Sequence, residues 1–149
     1  LEERDDERPA GPKLDAYMKR HPATAAADDL LFDAVARMES LGVHHLPVVD
    51  GDHRVVGMLS ERDVRVAVGD SLRPLRPSDG IVRLRSLRVR DVMSRDPMIV
   101  DEDASLHDVA LGLATHRVGA FPVVNATQKL VGIISYVDVL KGLLAGPSA

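Results

Sequence analysis

The strongest constraint on the fold of this chain is an internal repeat. Residues 18–64 align with residues 93–139 at a fixed offset of 75, without a gap. The segment "VGMLSERDV" at 56–64 returns as "VGIISYVDV" at 131–139, with the same polar residues at the same spacing. Two copies are too few to stack as a solenoid. We therefore expect two equivalent units packed about a pseudo-twofold axis, each covering an apolar face that the other cannot bury alone.

Each copy carries the same order of hydrophobic patterns. In the first copy, apolar residues at helical spacing over 29–41 predict a helix, with Asp28 as its N-cap and Gly42 as its stop. The apolar runs 46–50 and 54–59 flank a polar turn and predict a β-hairpin, after which the pattern becomes helical again. The remaining predicted elements are a helix at 104–115, strands at 121–125 and 130–135, a helix at 135–144, and short opening strands near 24–26 and 99–100.

These patterns predict the fold class and the division of the chain. The protein is expected to be α+β, with two β-α-β-β-α repeats related by a pseudo-twofold axis. We divide it into a solvated tail at 1–13, a first repeat at 14–70, a linker at 71–86 and a second repeat at 87–145.

The linker and the residues that follow it are rich in arginine. From Arg83 to Arg90, arginine alternates with Leu, Ser or Val, which predicts an exposed edge strand with its guanidinium groups in solvent. Solvation and edge protection explain this basic stripe more simply than anion binding does. The arginines of the stretch are Arg73, Arg76, Arg83, Arg85, Arg88 and Arg90.

Composition disfavours several classes of protein. The 149 residues are 45% apolar with a net charge of -4, as in ordinary soluble globular proteins. Without cysteine there is no disulfide framework and no thiolate nucleophile, so a reducing compartment such as the cytoplasm is expected. The apolar runs are too short to span a bilayer, and aromatic residues, at 3%, offer few surfaces for stacking single-stranded bases. We therefore expect no membrane partner, and nucleic acid is an unfavoured partner.

The repeated Ser-x-x-Asp, Ser60 to Asp63 and Ser135 to Asp138, admits two interpretations. Each Ser lies where a strand passes into a helix, so Ser and Asp can form a capping box worth about 1 kcal/mol. Alternatively, the helix N-terminus and the Ser hydroxyl bind a phosphate, while an ionised Asp accepts hydrogen bonds from two ribose hydroxyls. The second interpretation predicts a nucleotide site. It would be rejected if both carboxylates were bonded to main-chain amides and side chains filled the space between the copies.

The two copies resemble a tandem pair of CBS domains, also called a Bateman module. The resemblance rests on residues 17–64 and 92–139, in which an apolar-Pro-Val-Val strand and a Gly-x-x-Ser-x-x-Asp junction follow each other twice. It implies a two-layer α+β pair with clefts between the repeats that bind AMP, ADP or ATP, with S-adenosylmethionine as a weaker choice. A non-catalytic, stand-alone sensor is expected, without a required cofactor, that forms a homodimer and signals ligand state to an unidentified protein partner.

The resemblance also implies which residues meet in each cleft. The expected members of one cleft are Ser60, Asp63, Gly119 and Ala120. The expected members of the other are Ser135, Asp138, His44 and His45, with Arg62 near its phosphates. The first strands, near Ala23 and Met98, are expected to flank the adenines. Two histidines and an arginine bind phosphate better than glycine and alanine do, so we expect the second of these clefts to bind the charged nucleotide more tightly.

Other functions stay open from the residues alone. A ligand-free dimerisation module of the same fold would use both Ser-x-x-Asp pairs only as caps. A nucleic-acid binder would depend on the arginine stripe, with an affinity that falls steeply with salt. An enzyme is disfavoured because the sequence has no Ser-His-Asp, Cys-His, H-E-x-x-H or P-loop pattern. His44 and His45 have no further ligands at metal-site spacing, so no metal site is expected.

Overall fold

A computed structural model of the chain describes residues 11–69 and 77–145. Most of the predicted tail, together with Arg73 and Arg76 of the linker, lies outside these residues. The elements are, in chain order, a 3-10 turn (Leu14–Ala16), β1 (Lys19–Arg20), α1 (Leu31–Leu41), β2 (His45–Val49), β3 (Val55–Ser60), α2 (Glu61–Val68), α3 (Pro77–Ser86), α4 (Val89–Val92), β4 (Ser94–Arg95), β5 (Val100–Asp101), α5 (Leu106–His116), β6 (Ala120–Val124), β7 (Leu130–Ser135) and α6 (Tyr136–Leu144).

The two predicted helices and the predicted hairpin of each copy are confirmed. Strands β2 and β3 pair antiparallel, and so do β6 and β7, with an irregularity at the same place in both hairpins. The opening strands differ between the copies. Strand β5 pairs in parallel with β6, whereas the first copy has only a single parallel bridge between Ala25 and Val48. Gly42 ends α1 in the left-handed conformation, as expected of a helix stop.

The prediction that Asp28 caps α1 is wrong. The N-cap position belongs to Leu30, which makes no side-chain cap, because the helix begins further along the chain than the pattern indicated. The carboxylate of Asp28 instead forms an ion pair with Arg90. Asp29 supports the turn before the helix, where its Oδ2 accepts a hydrogen bond of 2.9 Å from the amide of Ala26.

The predicted edge strand from Arg83 to Arg90 is also wrong, because this stretch forms the end of α3 and the start of α4. The decisive residues are Leu84 and Leu87, whose three-residue spacing fits a helix and whose side chains pack against the core of the first repeat. The guanidinium of Arg83 donates to the carbonyl oxygen of Ala67 at 2.9 Å, which fastens α3 to the end of α2.

The short strands β1 and β4 are exchanged between the repeats. Strand β1 belongs to the first copy but pairs with β7, through Lys19 and Ile133. Strand β4 belongs to the second copy but pairs with β3, through Ser94 and Met58. The result is one sheet in the order β1-β7-β6-β5 and another in the order β2-β3-β4. Each sheet therefore has an edge strand that the sequence assigns to the other repeat.

The exchange extends into the two apolar cores. Leu14, which comes before β1, is fully buried in the core of the second repeat, while Val89 is fully buried in the core of the first. Partners of Leu14 in its core include Met18, Leu106, Phe121 and Ile134. Partners of Val89 include Leu31, Leu46 and Leu59. Neither repeat completes its core from its own contiguous residues.

The pseudo-twofold axis passes between equivalent residues of the two hairpins. Arg54 and Lys129, which the offset of 75 relates, form an antiparallel bridge with each other. Beside it, the amide of Leu130 donates to the carbonyl oxygen of His53 at 3.0 Å. Within residues 11–69 and 77–145, no helix combines the length and the apolar character that crossing a bilayer requires.

Candidate functional site

Both Ser-x-x-Asp pairs form capping boxes. Ser60 Oγ accepts from the amide of Asp63 at 3.0 Å, and Asp63 Oδ2 accepts from the amide of Ser60 at 3.1 Å. Ser135 and Asp138 repeat both bonds, at 3.3 and 2.9 Å, and the Ser135 hydroxyl also lies 2.9 Å from Asp138 Oδ2. The capping interpretation is therefore confirmed, with about 1 kcal/mol expected for each box.

Capping uses only one oxygen of each carboxylate. No residue of the described chain donates a hydrogen bond to Oδ1 of Asp63 or of Asp138. Asp138 is 6% exposed, yet the described residues include no fully buried side-chain oxygen or nitrogen without a partner. Oδ1 of Asp138 therefore reaches solvent. The same carboxylate can cap its helix and still accept a hydrogen bond from a ligand.

Two clefts remain open between the repeats, so side chains do not fill the seam. The larger, which we call the Ser60 cleft, encloses about 630 Å³ and contains Ser60 and Asp63. The smaller, which we call the Ser135 cleft, encloses about 410 Å³ and contains Ser135 and Asp138. Only half of the condition that would reject the nucleotide interpretation is met, because the carboxylates are bonded to amides but the clefts are open.

The structure brings together most of the residues predicted for each cleft. The Ser60 cleft contains Gly119, Ala120 and Met98. The Ser135 cleft contains His44, His45 and Ala23. The arrangement is more connected than expected, because His44, His45, Gly119 and Ala120 line both clefts. We call these four residues the shared wall. Their role in binding a ligand stays a prediction.

Arg62 does not lie in the cleft predicted for it from the sequence. It lines the Ser60 cleft, together with Arg117 and His116, and is not part of the Ser135 cleft. The reason is local, since Arg62 lies in the first turn of α2 and stays beside the Ser60 that caps that helix. The expectation that the Ser135 cleft holds the arginine is wrong. In the described chain Arg62 and Arg117 make no ion pair, so both guanidinium groups can meet an anion.

Several cationic residues of the clefts were not predicted from the sequence. Arg117 is the offset partner of Gly42, and its left-handed backbone, at φ 53°, places it at the end of α5. Lys19 and Lys141 line the Ser135 cleft. Lys141 is three residues past Asp138, so helical spacing on α6 was the available signal. Lys19 reaches the cleft only through the strand exchange, which the pattern did not indicate.

The histidines of the shared wall differ in their surroundings. His44 Nδ1 lies 2.5 Å from Glu61 Oε2, and this hydrogen bond lowers the pKa of Glu61 below its usual value. His45 is more enclosed, with its ring against Gly119, where an added Cβ would lie 3.2 Å from Nε2. Burial, and then the neighbouring His44, lower the pKa of His45 below 6.5, against the smaller opposing effect of Asp63 and Glu61.

Another depression, of about 760 Å³, lies away from both Ser-x-x-Asp pairs and is lined by the first repeat together with Arg90, Met93 and Arg95. Two of its three arginines face carboxylates of the same surface, with Arg90 paired to Asp28 and Arg37 lying 4.0 Å from Asp29. Volume alone would favour this depression. We place the candidate site in the two clefts because they combine helix N-termini, unpaired cations and carboxylate oxygens that accept no hydrogen bond from the described chain.

The model of the CBS domain family matches residues 14–70 and again residues 89–145. The chain belongs to the CBS domain family. A CBS domain-containing protein of Dictyostelium discoideum is 27% identical over 127 residues, which cover 85% of this chain and 88% of the relative. Inosine-5'-monophosphate dehydrogenase of Methanocaldococcus jannaschii is 29% identical over 141 residues. That match covers 95% of this chain but spans only 25% of the dehydrogenase, so it concerns one part of that enzyme.

Solved structures of CBS pairs share the fold. The structure of CBSX2 in complex with AMP superposes with a TM-score of 0.76 and 25% sequence identity, covering 91% of this chain and 98% of CBSX2. CBSX2 comes from Arabidopsis thaliana. The predicted tandem CBS pair and its α+β fold are therefore confirmed.

Proposed function

We propose that this CBS pair is a non-catalytic regulatory module that binds adenine nucleotides in the Ser60 cleft and the Ser135 cleft. The observation that carries the proposal is the pair of carboxylates whose Oδ2 atoms cap α2 and α6 while their Oδ1 atoms accept no hydrogen bond from the described chain. The relative CBSX2, solved with AMP, supports the choice of ligand.

Each cleft offers a group for each part of a nucleotide. Asp63 and Asp138 are the acceptors for ribose hydroxyls. The N-termini of α2 and α6 carry partial positive charge that favours a phosphate. Pro97 and Met98 provide apolar surface for a base in the Ser60 cleft, and Pro22 and Ala23, among others, do so in the Ser135 cleft. AMP, ADP or ATP satisfies these groups, and S-adenosylmethionine, which lacks a phosphate, satisfies fewer of them.

Ligand state would reach a protein partner through the arrangement of the two repeats. Both clefts draw residues from both repeats, so a bound nucleotide contacts the two halves at once. It favours whichever arrangement it binds more tightly, which changes the surface shown to a partner. The exposed apolar residues of α6, such as Leu143 and Leu144, support a homodimer. We expect the protein to act in the cytoplasm.

A titration calorimetry series with AMP, ADP, ATP and S-adenosylmethionine tests the proposal. Asp63→Ala and Asp138→Ala should each remove binding at one cleft and leave the other. Asp108→Ala is the matched control, because Ser105 and Asp108 have the same spacing at the start of α5 but line neither cleft. A wild-type protein that binds none of these ligands would refute the proposal.

The competing function is a ligand-free interaction module, which the two capping boxes favour. Thermal unfolding separates the two functions. A ligand at about 100 times its Kd should add about 2.7 kcal/mol to the free energy of unfolding. The interaction module predicts no such shift, although it predicts the same loss of helix capping in the two aspartate variants.

A further inference from the structure

The shared wall is the place where the two clefts meet. Its four residues come from equivalent positions, since the offset of 75 relates His44 to Gly119 and His45 to Ala120. Backbone bonds join the wall to both helix N-termini. The amide of Glu61 donates to the carbonyl oxygen of His44 at 2.9 Å, and the amide of Tyr136 donates to that of Gly119 at 3.0 Å. A change at the wall is therefore connected directly to each Ser-x-x-Asp helix.

The wall is not symmetric in its chemistry. The first repeat contributes two imidazoles, while the second contributes a glycine and an alanine, which leave room for the His45 ring against Gly119. His44 is already bonded to Glu61. The ring nitrogens of His45 have no hydrogen-bond partner among the described residues, and they are not fully buried. His45 therefore offers ring nitrogens without a hydrogen-bond partner among the described residues, in a wall that both clefts share.

We propose that His45 binds the phosphate of a nucleotide in either cleft, so that occupation of one cleft weakens binding in the other. This inference rests on the proposed function. A single ring, with one positive charge at most, interacts fully with one phosphate at a time. A second nucleotide meets a ring already engaged and a dianionic phosphate close by, which repels its own. Two clefts of unequal and coupled affinity are the consequence.

The surrounding charges are consistent with this role. Besides His45, the charged and titratable residues that line the two clefts come from several elements. They are Glu61, Arg62, Asp63 and Arg65 on α2, His44 just before β2, His116 and Arg117 at the end of α5, Lys19 on β1, and Tyr136, Asp138 and Lys141 on α6. Burial and His44 keep the pKa of His45 low in the free protein. A phosphate against the ring favours the imidazolium, so nucleotide binding takes up a proton.

The test uses proteins in which one cleft at a time can bind. Asp63→Ala leaves the Ser135 cleft and Asp138→Ala leaves the Ser60 cleft, and each is combined with His45→Ala. In calorimetry with AMP, His45→Ala should weaken binding roughly tenfold in both single-cleft proteins, as expected for the loss of a hydrogen bond to a charged group. Adenosine, which has no phosphate, should bind about equally well with and without His45.

The wild-type protein provides the second readout. Its first AMP should bind at least about tenfold more tightly than its second, and this difference should shrink in His45→Ala. His107→Ala, an exposed histidine of α5 outside both clefts, is the control and should change neither step. An effect of His45→Ala in only one single-cleft protein, or an equal effect on adenosine, would overturn the inference while leaving nucleotide binding intact. Absence of AMP and adenosine binding in every protein would refute the proposed function and this inference with it.

Discussion

Leu14 provides a sharp test of the strand exchange, because it is fully buried in a core to which its position in the sequence does not assign it. Its partners there, Leu106 and Phe121, belong to the second repeat. Leu14→Ala removes the buried side chain and leaves a cavity, which costs 2–5 kcal/mol in comparable cores, so we expect about 3 kcal/mol. For a chain of about 150 residues this corresponds to a fall in Tm of about 6–12 °C.

The assay combines calorimetric unfolding with amide hydrogen exchange, which locates the loss. Protection should fall first in α5 and β7 of the second repeat, not in α1 or β2 of the first. Val66→Ala is the control, since Val66 is 73% exposed on α2 and removal of its side chain should change Tm little. A Tm change of less than about 2 °C for Leu14→Ala, or a loss of protection confined to the first repeat, would show that the exchanged segment is wrongly placed.

Three further predictions test other features. The pKa of His45 in the folded protein lies below 6.5, so the unfolded chain binds the proton first and the free energy of unfolding falls as pH drops below that value. In urea titrations, His45→Asn should lose less stability than the wild type between about pH 7 and 5, and an identical decline would contradict the lowered pKa of His45. Arg117→Gly should raise the free energy of unfolding by about 1 kcal/mol and Gly42→Ala should lower it by a similar amount, since both positions have a left-handed backbone. If both variants were as stable as the wild type in denaturant melts, this reasoning would be refuted. Gly132→Ala places a Cβ 2.9 Å from the Lys19 carbonyl oxygen and should lower the free energy of unfolding by about 1–3 kcal/mol in thermal unfolding. Gly51→Ala, whose Cβ meets nothing within 4 Å, should be nearly neutral, and a neutral Gly132→Ala would argue against the close approach of β1 to β7.

Local elements could be predicted from the sequence because their periodicity is local. The hairpins and the helices at the Ser-x-x-Asp junctions follow from alternation, turn residues and helical spacing within a few residues. The linker shows the limit of this approach. Its arginine alternation has a strand period, but Leu84 and Leu87 also fit a helix, and packing against the first repeat selected the helix. Tertiary contacts decided between two patterns that the sequence carries at once.

The candidate site was predictable in its members but not fully in their grouping. The duplication indicated Ser60, Asp63, Ser135 and Asp138, and the cleft residues around them follow from the family resemblance. Arg62 was assigned to the wrong cleft because its place depends on which way the first turn of α2 faces. The strand exchange, which brings Lys19 to the Ser135 cleft, depends on pairing between residues more than a hundred positions apart. No local pattern carries that information.

The exchanged strands have a consequence for how such a chain arose. A protein with a single copy of the repeat would lack its own edge strand and part of its core, and would find both on a second molecule of the same kind. The simplest ancestor is therefore an intertwined dimer of short chains. Duplication and fusion of its gene would then have joined the two subunits without requiring any new contact between them.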